Sequence, residues 1–583
     1  MPDLSRETLI EALEQIATLL ELKGENPFKI RAYRTGAETV RTFPGDFLQL
    51  ARDNQLEGIK GIGDALRDKL HTLASTGNLP FLEKLKAEFP DTIFELFEIP
   101  GLGAKKIAAL YSDLGVGSIA DLQRACESGE AAKLAGFGEK TATKLLEAIA
   151  TRASFADTFR VDQAAPAARE ILDYLKDHPD TSRAEVAGSF RRGKETVHDL
   201  DFLVATKNPQ AIMDDFVRPP WVHSVIASGP TKTSIRLHSG VQCDLRAVSN
   251  AEFPFALAYF TGSKEHNIQL RARALKQGWT LNEYRFAPTG DDSPPVPDNI
   301  YEEGDLHRAL GLEFIDPALR EGSGEIEAAE DGALPRLVEL ENLRGTFHNH
   351  TTASDGHATL RQMAEAAMEL GLEYLGIADH SKSSFQANGL DETRLNAQLA
   401  EIQALNGEFG PDFRLFAGSE VDILKDGSLD FPDEILAGMN YVVASVHNVF
   451  TLPEAEMTAR IIRAIENPHV TMLGHVTGRL LLKREAYAVN IPAILDACAA
   501  TGTIIELNAN PWRLDMDWRW WRMAREKGIR CAINPDAHTV HGLQDLWYGL
   551  RSARKGWLTR QDVVNCLPLG QIEAVLQAKR KHG

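Results

Sequence analysis

The sequence is poor in features that tie a chain to a membrane or an oxidising compartment. No apolar run in its 583 residues approaches the ~18–20 needed to cross a bilayer. The opening stretch, MPDLSRETLIEALEQIATLL, patterns as an acidic amphipathic helix and not as a signal peptide. Five cysteines (126, 243, 498, 531 and 566) show no paired spacing, which excludes a disulfide framework and fits a reducing cytoplasm. Positive charge is also short: 63 Lys and Arg against 83 Asp and Glu leave a net charge of −20. That argues against nonspecific coating of nucleic acid, which needs a basic face. It leaves room for a DNA enzyme, because local patches and bound cations can supply the field. The length is too great for one core and predicts roughly three to five domains.

What is present begins with Gly188–Val204, GSFRRGKETVHDLDFLV. A Gly188-Ser189 turn that can offer backbone N–H groups to an anion is followed by Arg191 and Arg192. Asp199 and Asp201 then sit two apart on a predicted strand, so both carboxylates share one face while Leu200, Phe202 and Val204 face a core. Ser234–His238 and Val241–Ala247 flank Ser239-Gly240, a hairpin signal that puts Asp244 on the returning strand. Three carboxylates beside a phosphate-cradling turn call for Mg²⁺ or Mn²⁺, which bind through carboxylates and substrate phosphates.

This string resembles the signature of the family X DNA polymerases, the polymerase beta group. The match continues at Tyr259-Phe260-Thr261-Gly262-Ser263, Asn267, Arg271 and Gly278–Tyr284. The resemblance implies a nucleotidyltransferase palm over 151–255 and a nucleotide-selecting, thumb-like subdomain over 256–320. It implies that Asp199, Asp201 and Asp244 are catalytic and hold the metal. By the same resemblance Gly188, Ser189 and Arg192 meet the incoming triphosphate; Tyr259, Phe260, Gly262 and Asn267 line the nucleotide pocket; Arg271 reaches the DNA. Val197 and Lys264 depart from the family pattern.

Ahead of the palm, residues 1–150 read as short helices broken at Gly61-Ile62-Gly63, Gly101-Leu102-Gly103 and Gly136-Phe137-Gly138. These resemble helix-hairpin-helix modules, in which glycines admit a phosphate close to the backbone and helix-start N–H groups bind it. Asn26–Arg34 and Gly61–Leu70 are similar to the small N-terminal domain of polymerase beta, which implies a lyase-like domain over 1–85 and helix-hairpin-helix fingers over 86–150. Lys69 aligns with its Schiff-base nucleophile, Lys29 and Tyr33 with helper residues; Phe28 and Ala65 depart from it.

Residues 321–342, rich in Gly and Glu, read as an interdomain linker. From 343 onward the chemistry changes. His348, His350, Asp355, His380, Glu420, His447, His475, Asp536 and His538 mostly follow short β-rich runs separated by helical patterns. Ligands at the C-terminal ends of successive strands describe a barrel with its site at that face. Imidazoles mixed with carboxylates favour Zn²⁺, Mn²⁺ or Fe²⁺, and nine candidates suffice for up to three ions. His357, His469 and His541 lack that context, while Arg479 and Arg513 are candidates to grip a substrate phosphate.

These motifs, with Gly474–Arg479 and Glu506-Leu507-Asn508, resemble the PHP (polymerase and histidinol phosphatase) domain, a distorted (βα)7 barrel with a trinuclear site. The whole chain thus reads as a multidomain polymerase: an α-helical N-terminal region, an α+β palm and thumb, and a PHP phosphoesterase over 343–583. The expected activity is gap-filling on primer-template DNA from dNTPs, with Mn²⁺-dependent 3′→5′ exonuclease, abasic-site endonuclease or 3′-phosphatase action at the PHP domain, in a cytoplasmic monomer. The alternatives are a small-molecule phosphatase and a catalytically silent DNA-end scaffold.

Overall fold

The computed structural model describes residues 6–43, 47–99, 101–154 and 157–579; Met1–Ser5 of the expected first helix lie outside them. The chain divides into two compact units, Met1–Ala156 and Asp157–Gly583.

The first unit is helical. Helices Arg6–Leu22, Pro27–Thr42, Asp64–Thr76, Ala104–Leu114, Ile119–Glu127 and Glu139–Ser154 carry most of it. Local chemistry sets several boundaries: Asn26 accepts a hydrogen bond from the Phe28 N–H, with Pro27 pre-set at the first helical position. Gly115 ends Ala104–Leu114 in the left-handed region at φ 67°. One buried apolar cluster runs from Leu9 to Ile149, so the two segments read from sequence as separate domains share a core.

The second unit opens with the helix Val161–Asp177 packed on a five-stranded sheet. In spatial order its strands are Thr181–Val186, Asp199–Thr206, Gln242–Val248, Lys232–Leu237 and Val222–Ser228. The expected hairpin is present: Lys232–Leu237 pairs antiparallel with Gln242–Val248. Asp199–Thr206 pairs parallel to the latter, in a register that sets Asp201 directly opposite Asp244. Helices Phe253–Thr261, Lys264–Lys276 and Glu303–Ala309 and the small hairpin Trp279–Leu281/Phe286–Pro288 follow.

The segment expected as a linker is ordered. Residues 325–330 form a helix with Glu325, Ile326 and Ala329 buried. Leu337 and Trp557 join the apolar cluster of the preceding subdomain, so 321–342 is packed on both neighbours.

Beyond it, the strands Gly345–Thr346, Tyr374–Ile377 and Arg414–Ala417 form one parallel sheet. Glu420–Asp422, Val443–Ser445, Met472–Leu473, Ile504–Asn508 and Cys531–Asn534 form another. Parallel bridges at His380–Glu420 and Asn349–Ala537 join the two sheets at both ends. The strands read as unbroken apolar runs because helices cover the sheets. Ligand-bearing residues therefore converge where the strands end, on the side the sequence pattern anticipates.

Candidate active sites

At the palm, the turn and the strand meet closely. Gly188 has φ +63°, and a Cβ added there would lie 2.1 Å from Asp201 Oδ2. Only a glycine lets the carboxylate pack against the turn. Burial first, then the charges of Asp199 and Asp244, push Asp201 up to about 7. Asp244 behaves oppositely: burial works against ionisation, but the Lys232 ammonium at 2.8 Å and the Gln242 amide at 3.0 Å hold it below the usual carboxylate range. Three carboxylates that repel one another in a half-buried site fit a divalent cation.

Arg192, assigned to the triphosphate, donates from Nε to Glu321 (2.9 Å) and from Nη1 to the Thr261 carbonyl (2.8 Å). Arg191 forms a fork to Glu303 (3.0 and 2.7 Å), which also pairs with the fully buried Arg320. Tyr259 and Phe260 meet edge to face with centroids 5.2 Å apart. Asn267 donates to the Tyr259 carbonyl at 2.7 Å, and a Cβ at Gly262 would lie 2.6 Å from Asn267 Oδ1. Arg271 is exposed one turn further on.

In the N-terminal unit, Gly61, Gly101 and Gly136 have φ between 84° and 95°. Gly63 and Gly103 cap helices with no side-chain bond to their N–H groups, and Gly138 lies one residue before Glu139–Ser154. A Cβ at Gly63, Gly101, Gly103, Gly136 or Gly138 would meet nothing within 4 Å, so these turns are open to an approaching phosphate. Lys69 lies 4.9 Å from the Phe81 ring centroid and 6.0 Å from that of Tyr33. Burial, and more weakly Lys29, lower its pKa, the direction an amine nucleophile needs.

The second centre is built around Glu420. Its carboxylate faces His348 (3.3 Å), His350 (3.8 Å), His380 (2.9 Å), His447 (3.0 Å) and His475 (2.9 Å). Asp536 lies 3.1 Å from His350, and Asp355 lies 3.4 Å from His538 and 3.6 Å from His380. Ligand atoms gather into three groups, each within 4.8 Å: His350/Asp355/His380/His538, His348/His350/Asp536 and His380/Glu420/His447. Asp536 holds φ 52°, and such strain collects where a side chain must be aimed.

Charge within the cluster is sorted by neighbours. Despite burial, Glu420 and Asp422 push His447 up to about 10. Burial and the neighbouring His538 and His380 bring His350 down to about 4. Asp355 falls to about 2 against the pull of burial, chiefly through His538 and His350. His348 Nε2, His350 Nδ1 and His475 Nδ1 are buried without a hydrogen-bond partner, an arrangement that costs about 1–3 kcal/mol each unless a ligand takes the lone pair. The donor set fits divalent metal ions.

Comparison with known proteins agrees with both centres. Residues 256–321 match the DNA polymerase beta thumb model, 5–79 a helix-hairpin-helix domain, 93–151 a SAM-like helix-hairpin-helix tandem, and 346–510 the PHP domain. Over 576 residues the chain is 38% identical to the DNA polymerase/3′-5′ exonuclease PolX of Bacillus subtilis (strain 168), covering 98% of this chain and 99% of that protein. The chain belongs to the PolX family. Part of this PolX chain is also similar to proteins named probable phosphatases. One from Thermoanaerobacter sp. (strain X514) is 28% identical over 247 residues, 40% of this chain and 94% of that protein. One from Acetivibrio thermocellus is 29% identical over 201 residues, 33% of this chain and 78% of that protein.

Several residues of this PolX chain that shape the sites are absent from the sequence-derived ligand set. Glu506 accepts from His348 Nδ1 at 2.6 Å and from the His475 N–H at 3.0 Å. Asp422 holds His447 Nδ1 at 2.5 Å. Each fixes which ring nitrogen faces the cluster. Asp422 could have been found, since it lies two residues beyond Glu420 on one strand face. Asp379 turns away and ties down the Thr351 and Ser354 loop. Arg513 comes within 3.4 Å of Asp536, in line with the expected phosphate grip. Arg479 does not: it is occupied by Glu195 of the palm turn, by Asp517 and by the Arg513 and Leu514 carbonyls.

Proposed function

We propose that this PolX chain extends a primer 3′ end from dNTPs at its palm and shortens 3′ ends by hydrolysis at its PHP centre, filling short gaps during repair. The observation that carries the reading is the coexistence of two separately built acidic centres in one chain: Asp201 opposite Asp244 beside the Gly188 turn, and Glu420 ringed by imidazoles.

At the palm, Asp199, Asp201 and Asp244 would hold Mg²⁺ or Mn²⁺. The turn from Gly188, with Ser189, cradles the triphosphate, and Arg192 meets it by exchanging Glu321 for phosphate oxygens, a swap of one anionic partner for another. Tyr259, Phe260 and Asn267 shape the sugar and base pocket, and Arg271 reaches the DNA. Positioning and charge neutralisation account for the rate.

At the PHP centre the nine ligands would hold up to three Mn²⁺, Zn²⁺ or Fe²⁺ ions, which supply Lewis-acid stabilisation of phosphate charge. Glu506 and Asp422 fix the imidazole orientations, and Arg513 binds the scissile phosphate. The open glycine turns of the N-terminal unit hold DNA backbone, and Lys69 serves as the candidate lyase amine. The enzyme acts as a monomer. Removal of a 3′-phosphate is the second reading, favoured by the similarity to probable phosphatases.

One gel tests the assignment. A labelled primer on gapped DNA is incubated in Mn²⁺ with and without dNTPs, using wild type, Asp199→Ala/Asp201→Ala and His348→Ala/Asp536→Ala. The first variant should only shorten the primer and the second only extend it. A wild type that does neither would remove both assignments.

A further inference from the structure

The PHP centre has a neighbour that neither reading uses. Trp512 is 42% exposed, unusual for an indole, and it precedes Arg513, whose Nε lies 3.4 Å from the ligand Asp536. The turn is rigid: the Asn510 side chain accepts from the Trp512 N–H at 3.0 Å, and the Asn510 carbonyl accepts from the Arg513 N–H at 2.7 Å. Consecutive Cα atoms lie 3.8 Å apart, so the indole stands one residue from a group that touches the metal cluster.

Its surroundings are cationic. The Arg160 guanidinium, from the palm side, lies over the ring 3.4 Å from its centroid, and Lys483 lies 5.5 Å from the same centroid. Arg160 is fixed from behind by a two-pronged pair with Asp162 (3.0 and 2.9 Å) and is itself buried. An aromatic plane backed by a fixed guanidinium cannot rotate away, and its exposed area remains open. Lys483 and Arg513 flank it as two separate cations. Aromatic planes with interleaved cations, sequence-tolerant and backbone-tracking, are the physical elements of single-strand binding.

We infer that Trp512 is a base-stacking platform for a nucleic-acid strand entering the PHP centre, with Lys483 on a backbone phosphate next to the scissile one. The inference rests on the reading that this centre cleaves phosphodiesters. It makes the preferred substrate an unpaired 3′ end, since a stacked base must leave its duplex partner. It also separates DNA from small phosphate esters, which have no second base to stack.

The test compares wild type, Trp512→Ala and Trp512→Phe on two substrates in Mn²⁺: a single-stranded oligonucleotide, and the p-nitrophenyl ester of thymidine 5′-monophosphate. Truncation should raise KM for the oligonucleotide about tenfold, the scale of one base–aromatic stack. It should leave kcat and small-ester hydrolysis within twofold, and Phe should restore most of the loss. Equal losses on both substrates, or none on either, would overturn the platform. A second readout needs no turnover: an oligonucleotide with 2-aminopurine at its 3′ side, bound in EDTA, should be quenched by wild type and by Trp512→Phe but not by Trp512→Ala. If wild type cleaves neither substrate, the hydrolytic reading falls, and the quenching result alone still supports or sinks the platform.

Discussion

Gly188 shows how one residue determines a site. With φ +63° and the Asp201 carboxylate 2.1 Å from where a Cβ would sit, alanine is excluded both by backbone strain and by volume. Gly188→Ala should therefore displace Asp201 or the turn. We expect primer extension to fall at least about a hundredfold, the cost of about 1 Å of misplacement, while trimming persists because the PHP ligands lie elsewhere in the fold. Parallel loss of both activities would mean a folding defect, and unchanged extension would show that the turn is not part of the catalytic geometry. Much at this scale was legible in the sequence. The i, i+2 spacing put Asp199 and Asp201 on one face, and the nine ligands stood out because each ends a β-rich run. Glu506 was harder. Its carboxylate acts on His348, 158 residues earlier in the chain, and no local pattern encodes that pairing.

Among elements, the connections between the palm turn and its neighbours are ionic and buried. Glu303 lies between Arg191 of the turn and Arg320 at the start of the ordered 321–342 segment. Burial opposes its charge, yet Arg320 and Arg191 bring it from 4.5 down to about 2. A group whose folded pKa is depressed stabilises the protein above its unfolded pKa, and the benefit disappears as pH falls through the folded value. The window is thus pH 4.5 to about 2, and the shift corresponds to about 3 kcal/mol for a side chain only 7% exposed. Urea midpoints of wild type should fall steeply between pH 5 and 3, and Glu303→Gln should be less stable at pH 6 but flatter across that range. If both proteins follow the same pH slope, Glu303 is not the titrating group. Composition misread this segment, because Gly and Glu usually mark a solvated linker. Here Glu321 receives Arg192 and Lys555. The same holds for Arg479, which its motif suggests for phosphate but which pairs with Glu195, 284 residues away.

Across the whole molecule, a net charge of −20 sets the terms on which it can hold DNA. A chain so acidic cannot rely on a general basic field, so phosphate contact has to be local and made by oriented groups. The glycine turns of the N-terminal unit meet that need with backbone N–H groups, which are polar without being charged. Replacing Gly101 and Gly136 together by valine puts side chains at φ 87° and 84° in turns that are otherwise open. Gapped-DNA affinity should fall about tenfold for every sequence tested, because phosphate contacts position without reading bases. The slope of log Kd against log salt should become shallower by about one to two, one for each phosphate no longer engaged. At saturating DNA, extension and trimming rates should be unchanged, since neither metal centre lies in that unit. A sequence-dependent loss, or a fall in saturated rates with thermal unfolding unaltered, would mean that the N-terminal unit does more than grip the backbone.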